Sequence, residues 1–195
     1  MQIVALTGQP SCGKGMVVKV LKEEFGFEVE TLSSILRVLI IADGLEVTRE
    51  RLQAMGDKVR AESGPGILVQ LLVNQAIEKG VEKLAIDGLR SKGEVEELKN
   101  VGGVLVGIET KMEDLLGWYL KRGREDDQVS EERFWQLIDR ENKGVEAGEM
   151  NIAACIEMAE IKINNFGSEE ELLEKARGLG PKLEDREGKL GGKEH

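Results

Sequence analysis

The chain has 195 residues, of which 41% are hydrophobic and 33% charged, with three prolines; that is the composition of one globular domain with a sizeable core and excludes a fibrous or disordered chain. A formal net charge of −10 opposes attraction to nucleic acid or an anionic membrane, so any anionic ligand must be met by local arginines and lysines. No apolar run approaches the roughly 18 residues of a membrane span and no basic leader precedes the N-terminal apolar stretch, from which a cytoplasmic protein is expected.

QIVALT at 2–7 reads as a strand, and residues 14–25 read as a helix carrying Val17, Val18, Val20 and Leu21. FEVE at 27–30 is a second short strand, followed by helical stretches at about 33–42, 48–62 and 66–79, punctuated by DG at 43–44 and GPG at 64–66. KLAI at 83–86 is the third strand; behind it Ser91 and Glu94 have capping-box spacing. VLVGIE at 104–109 is the fourth strand, and Thr110 with Glu113 repeats the capping pattern for a helix to about residue 121. Beyond the polar KRGREDDQVS, helices are expected near 131–141 and 150–158, then the strand EIKIN at 160–164 and a helix opened by Ser168 and Glu171. Residues 180–195 are polar and glycine-rich and read as a flexible tail.

Five strands alternating with helices predict an α/β fold with a mostly parallel sheet covered on both faces. Ligands then belong at the carboxyl ends of the strands, where Gly8, Asp87 and Thr110 begin the most conspicuous motifs. Cys12 and Cys155 lack metal-ligand spacing and the one histidine is His195, which argues against zinc and against a histidine-based triad.

Gly8, Gly13 and Lys14 satisfy G-x-x-x-x-G-K between an apolar strand and a helix. In that context the glycines let backbone N–H groups cradle phosphate oxygens, the lysine reaches the outer phosphates, and the helix directs its positive end at the same anion. Cys12 is a small filler in this loop, although its position beside Lys14 at a helix start would lower its thiol pKa. The residues after Lys14 are Gly15 and Met16, so the hydroxyl that commonly touches Mg²⁺ is missing. Asp87, at a strand end, is the candidate to hold the metal, largely through water.

With these motifs the chain resembles the P-loop nucleoside monophosphate kinases, the adenylate kinase type in particular. GQPSCGKG at 8–15 is similar to that family's G-x-P-G-x-G-K-G loop, with Ser11 in place of a glycine and Met16 in place of threonine. LSSILR at 32–37 is similar to the acceptor segment ending in arginine, DGLR at 87–90 to a shortened D-G-x-P-R, and RGREDD at 122–127 to a shortened lid. The whole pattern is closer still to small nucleotide kinase-like and dephospho-CoA kinase-like proteins.

The resemblance implies a three-layer P-loop kinase fold over residues 1–179, with a five-stranded parallel sheet, acceptor-binding helices at about 31–80 and a short lid at about 121–140. It implies ATP with Mg²⁺ and a small phosphorylated acceptor, an NMP or dNMP, bound by a monomer or homodimer. Gly8, Gln9, Pro10, Ser11, Cys12, Gly13, Lys14, Gly15 and Met16 would bind ATP. Arg37, Arg60 and Arg90 would bind the acceptor, and Lys14, Asp87, Arg90, Arg122 and Arg124 would be catalytic, with Arg140 a further candidate. Arg51 and Arg133 read as solvated. Trp118, Tyr119, Phe134 and Trp135 flank the lid and are either core or an adenine stack. Two alternatives stay open: dephospho-CoA kinase, for which no carboxylate stands in TLSSIL at 31–36, and an ATP-binding regulator without an acceptor.

Overall fold

A computed structural model describes residues 1–122 and 130–190. Strands β1 (Gln2–Gly8), β2 (Glu28–Glu30), β3 (Lys83–Asp87), β4 (Val104–Glu109) and β5 (Ile161–Asn164) form one sheet in the order β2-β3-β1-β4-β5. Every pairing is parallel, so each connection crosses a face of the sheet and leaves its helix there.

The helices are α1 (Lys14–Glu23), α2 (Leu32–Ala42), α3 (Arg49–Ser63), α4 (Ile67–Glu78), α5 (Lys92–Asn100), α6 (Met112–Arg122), α7 (Glu131–Asn142), α8 (Ile152–Met158), α9 (Glu169–Arg177) and α10 (Leu179–Leu190). Alternation along β1 divides the core. Val4 and Leu6 join one apolar cluster with residues of α1, α6, α7, α9 and α10, whereas Ile3 and Ala5 join a second with residues of α2, α4, α5 and α8. Strand β1 is therefore buried on both faces, and its register sets Leu6 opposite Asp87. The expected three-layer fold is present, with no helix among the described residues long and apolar enough to cross a membrane.

Two local expectations change. Thr110 does not cap α6: its hydroxyl donates to the Cys12 carbonyl at 3.5 Å, and the first turn instead closes on the Lys111 carbonyl. The residues expected as a tail form α10 as far as Leu190. Leu179 and Leu183, one turn apart, are buried in the first cluster, and Pro181 lies in the first turn, where a missing N–H costs nothing.

Candidate active site

The order of strands reverses at β1, which has β3 on one side and β4 on the other, and a crevice opens at the carboxyl ends there. Residues 9–13 leave β1 as a loop and enter α1 at Lys14. Gly13 has φ +94°, and a Cβ on it would stand 2.6 Å from Leu172 Cδ2 and 2.9 Å from Asn165 Nδ2, so only glycine fits. Buried Asn165 donates to the Cys12 carbonyl at 3.1 Å and fixes the loop from β5. Lys14 Nζ folds back to donate to the Gly8 carbonyl at 2.6 Å and the Gln9 carbonyl at 3.1 Å.

Two loop residues depart from expectation. Ser11, where the resembling loop has glycine, holds a left-handed backbone at φ +64°, and its Oγ is buried without a hydrogen-bond partner among the described residues. Burial raises the Cys12 thiol pKa, and the opposing charge and hydrogen bonds of Lys14 are too weak to reverse it. The expected lowering is overturned because the thiol is packed inside the loop, 1% exposed.

The turn after β3 is tied to β1. Gly88 and Leu89 N–H both donate to the Leu6 carbonyl, and Thr7 Oγ1 donates to the Leu89 carbonyl. Asp87 thus projects beside the phosphate loop, its Oδ1 buried without a hydrogen-bond partner among the described residues. The capping box of Ser91 and Glu94 forms as the sequence predicts. Glu94 does more than cap: Oε2 accepts from the Arg90 and Ser91 amides at 2.8 and 3.2 Å, while Oε1 accepts from Arg60 Nη2 at 2.9 Å. One buried carboxylate therefore joins α3 to the turn that carries Asp87 and Arg90.

The end of α7 supplies a second such carboxylate. Glu141, buried, lies 3.1 Å from Arg90 Nη1 and 3.8 Å from Arg140 Nη2. Burial lowers the Arg140 pKa most, Glu141 counters it, and the positive charges of Arg49, Arg90 and Arg133 lower it further. Two arginines, Arg90 and Arg140, thus share the single carboxylate of Glu141, with Arg49 close enough to act on Arg140, in a protein whose net charge is −10. Such a cluster is complementary to an anion such as phosphate.

Two cavities share this ground. One of about 690 Å³ lies between α2, α3 and the segment after α7, with Arg49, Arg60, Arg90 and Arg140 on its wall. The other, of about 710 Å³, runs along the phosphate loop to Trp118 and Lys121 of α6 and to Gly167 and Ser168 before α9. Lys14 and Asp87 line both. A smaller cavity of about 290 Å³ brings Ser11 and Lys14 against Arg49, Arg90 and Arg140.

The structure brings together the phosphate loop, Lys14, Asp87, Arg60 and Arg90, and promotes Arg140. It does not bring Arg37: that side chain is exposed on α2, and the cavity takes Leu32, Ser33 and Leu36 from the same helix instead. The reason is phase, since Leu32, Ile35 and Leu36 face inward and turn Arg37 to solvent. Arg122 ends α6 and its side chain is outside the described residues, as is the whole of Arg124. Trp118 lines the cavity along the phosphate loop, whereas Tyr119 and Phe134 pack on each other in the core, ring centroids 5.3 Å apart, with Tyr119 also reaching the smallest of the three cavities. Trp135 is exposed on α7. Arg49 was not legible: it is the first residue of α3 after the Thr48 cap, and no local pattern separates it from Arg51, which is exposed as expected. The cavity wall at Lys143–Gly144 and Gly148–Met150 was equally hidden, because it lies in a stretch without periodicity.

Comparison with known proteins agrees with this architecture. Residues 7–134 match the AAA domain family. A UPF0200 protein of Methanoregula boonei is 31% identical, covering 92% of this chain and 96% of its own; one of Sulfurisphaera tokodaii is 32% identical over 92% and 96%. In fold, the chain is similar to a dephospho-CoA kinase from Campylobacter jejuni, with TM-score 0.52 and 16% identity over 92% of this chain and 96% of that one. It is also similar to a gluconokinase from Sinorhizobium meliloti, with TM-score 0.53 and 10% identity over 96% and 97%. With a P-loop kinase-like fold and relatives that match nearly end to end, the chain belongs to the UPF0200 proteins, within the AAA domain family.

Proposed function

We propose that this protein is an ATP-dependent kinase that transfers the γ-phosphoryl group to a small phosphorylated acceptor of the nucleoside monophosphate class. The observation that carries the reading is the meeting of two cavities at Lys14 and Asp87, one lined by the phosphate loop and the other by arginines. ATP would lie along the loop with its base toward Trp118. Its γ-phosphorus would face the arginine-lined cavity. There an acceptor oxygen bonds to phosphorus while the bond to the β–γ bridging oxygen breaks, and ADP leaves. Little covalent help is needed, and the protein supplies positioning and positive charge.

Lys14 would release the Gly8 and Gln9 carbonyls to meet the β- and γ-phosphates. Arg90 and Arg140 would hold the acceptor's phosphate with their paired N–H donors, and Arg49 would add charge at the same point. The Mg²⁺ that accompanies ATP is held in such enzymes by one or two carboxylates, phosphates and water; the unpartnered Oδ1 of Asp87 fits that donor set. Met16 packs against the core instead of offering a hydroxyl. A hydroxyl acceptor is a second reading, supported by the same Asp87 Oδ1, which has no hydrogen-bond partner among the described residues and could take the hydroxyl proton.

The test is ADP release from MgATP with a panel of NMPs, dNMPs and dephospho-CoA, with Lys14→Ala as control. Turnover that depends on an NMP or dNMP and disappears in Lys14→Ala is expected. Turnover with dephospho-CoA alone would move the protein to the second reading, and no acceptor dependence would leave an ATP-binding regulator.

A further inference from the structure

Asn142, the last residue of α7, uses every hydrogen-bonding position of its amide. Nδ2 donates to Gln9 Oε1 at 3.1 Å and to the Ile138 carbonyl at 2.7 Å. Oδ1 accepts from Gln9 Nε2 and from the Ala153 amide, both at 2.9 Å. These partners define the amide's orientation, since a reversed group would set donor against the Ala153 N–H and oxygen against the Ile138 carbonyl. The phosphate loop, the end of α7 and the start of α8 are thus joined at one side chain.

Gln9, with Gly8, is a loop residue whose bonding changes if Lys14 turns to a nucleotide's phosphates. Its carbonyl accepts from Lys14 Nζ at 3.1 Å and from the Cys12 amide at 3.2 Å, and the lysine has to leave it to reach phosphate. Its side chain, 8% exposed, cannot relax into solvent and remains paired with Asn142. At the other end, Asn142 directly follows Arg140 and Glu141, the residues that order the arginine cluster. Gln9 and the residues that hold Arg140 and Arg90 are therefore joined within a single helical turn.

We propose that the Gln9–Asn142 amide pair is a positioning contact that couples the two cavities, so that filling the phosphate loop tightens the arginine cluster for the acceptor's phosphate, and the reverse. The proposal rests on the donor and acceptor assignments above. Coupling of this kind is reciprocal, which makes it measurable without knowing the acceptor.

The experiment is titration of MgADP into the 195-residue chain with and without inorganic phosphate, for the native sequence, Asn142→Ala and Asn142→Asp. Phosphate should tighten MgADP binding by about fivefold or more in the native protein, the lower range of coupling factors. In Asn142→Ala the factor should fall to about one, while affinity for MgADP alone changes by less than the native coupling factor. Asn142→Asp keeps the acceptor for Ala153 and Gln9 Nε2, loses the donor to Gln9 Oε1 and the Ile138 carbonyl and gains a negative charge. It should uncouple in the same way even if the alanine variant folds poorly, and phosphate affinity measured alone separates the added charge from the lost coupling. Coupling that survives both substitutions overturns the proposal, as does a native factor of one when both ligands bind. A native protein that does not bind MgADP at all would instead remove the donor-site assignment beneath it.

Discussion

Ser11 occupies backbone space that favours glycine, and a non-glycine residue there costs on the order of 1–2 kcal/mol. Its buried Oγ gains no hydrogen bond among the described residues to offset that cost. Ser11→Gly is therefore expected to keep or raise stability, and β-branched Ser11→Val to lower it, both read by denaturant unfolding. Met16→Thr removes part of an apolar contact with the core and should cost about 1 kcal/mol while nucleotide affinity is retained; abolished binding in a folded variant would contradict the role given to Asp87. The cysteines respond to burial in the same direction. The Cys12 thiol pKa is raised and that of Cys155 is pushed from 9.0 to about 12, so neither should react with iodoacetamide in the folded protein at pH 7–8. A raised thiol pKa means that the folded state holds its proton longer than the unfolded chain. Cys155 should leave stability unaffected below the ordinary thiol pKa and erode it between pH 9 and about 12. Cys155→Ala should reduce that slope in urea unfolding, and the remainder includes the contribution of Cys12.

Elements were legible where periodicity and caps agree. Strand β1 and helix α1 follow from QIVALT and the valine spacing, and α5 from its capping box, because these signals are local and the structure satisfies them locally. The signals failed where tertiary bonds compete. Thr110 looks like a cap but is drawn to the Cys12 carbonyl, and the C-terminal stretch looks like a tail but presents Leu179 and Leu183 to the core. Leu183→Ala should accordingly destabilise the fold by about 2–4 kcal/mol in thermal or denaturant unfolding, whereas a detached tail would show no change. The phosphate loop and Asp87 were legible because their chemistry is written in contiguous motifs. Arg49, Glu141 and Asn142 were not, because their roles exist only once α3 and α7 converge on the β3 turn. Arg37 misled for a related reason: a matching motif fixes position along the helix, but burial of Leu36 decides which way the neighbour points.

At the scale of the whole molecule, a parallel sheet with reversed strand order opens one crevice, and the chain fills its two sides with different chemistry. The backbone of the phosphate loop serves one side and arginines braced by the buried carboxylates Glu94 and Glu141 serve the other. Lys14, Arg49, Arg60, Arg90 and Arg140 meet at this crevice in a protein whose net charge is −10, and two acidic side chains there, Glu94 and Glu141, are held in ion pairs with arginines. The proposed function uses that local gathering of positive charge against the overall field. The measurement closest to this account is transfer of label from γ-³²P-ATP in the presence of Mg²⁺ and the nucleotide panel. Label should appear on a nucleoside monophosphate acceptor with the native protein and be lost in Lys14→Ala and Asp87→Asn variants that still fold. Label recovered only as inorganic phosphate, or transfer that persists without Lys14, would contradict it.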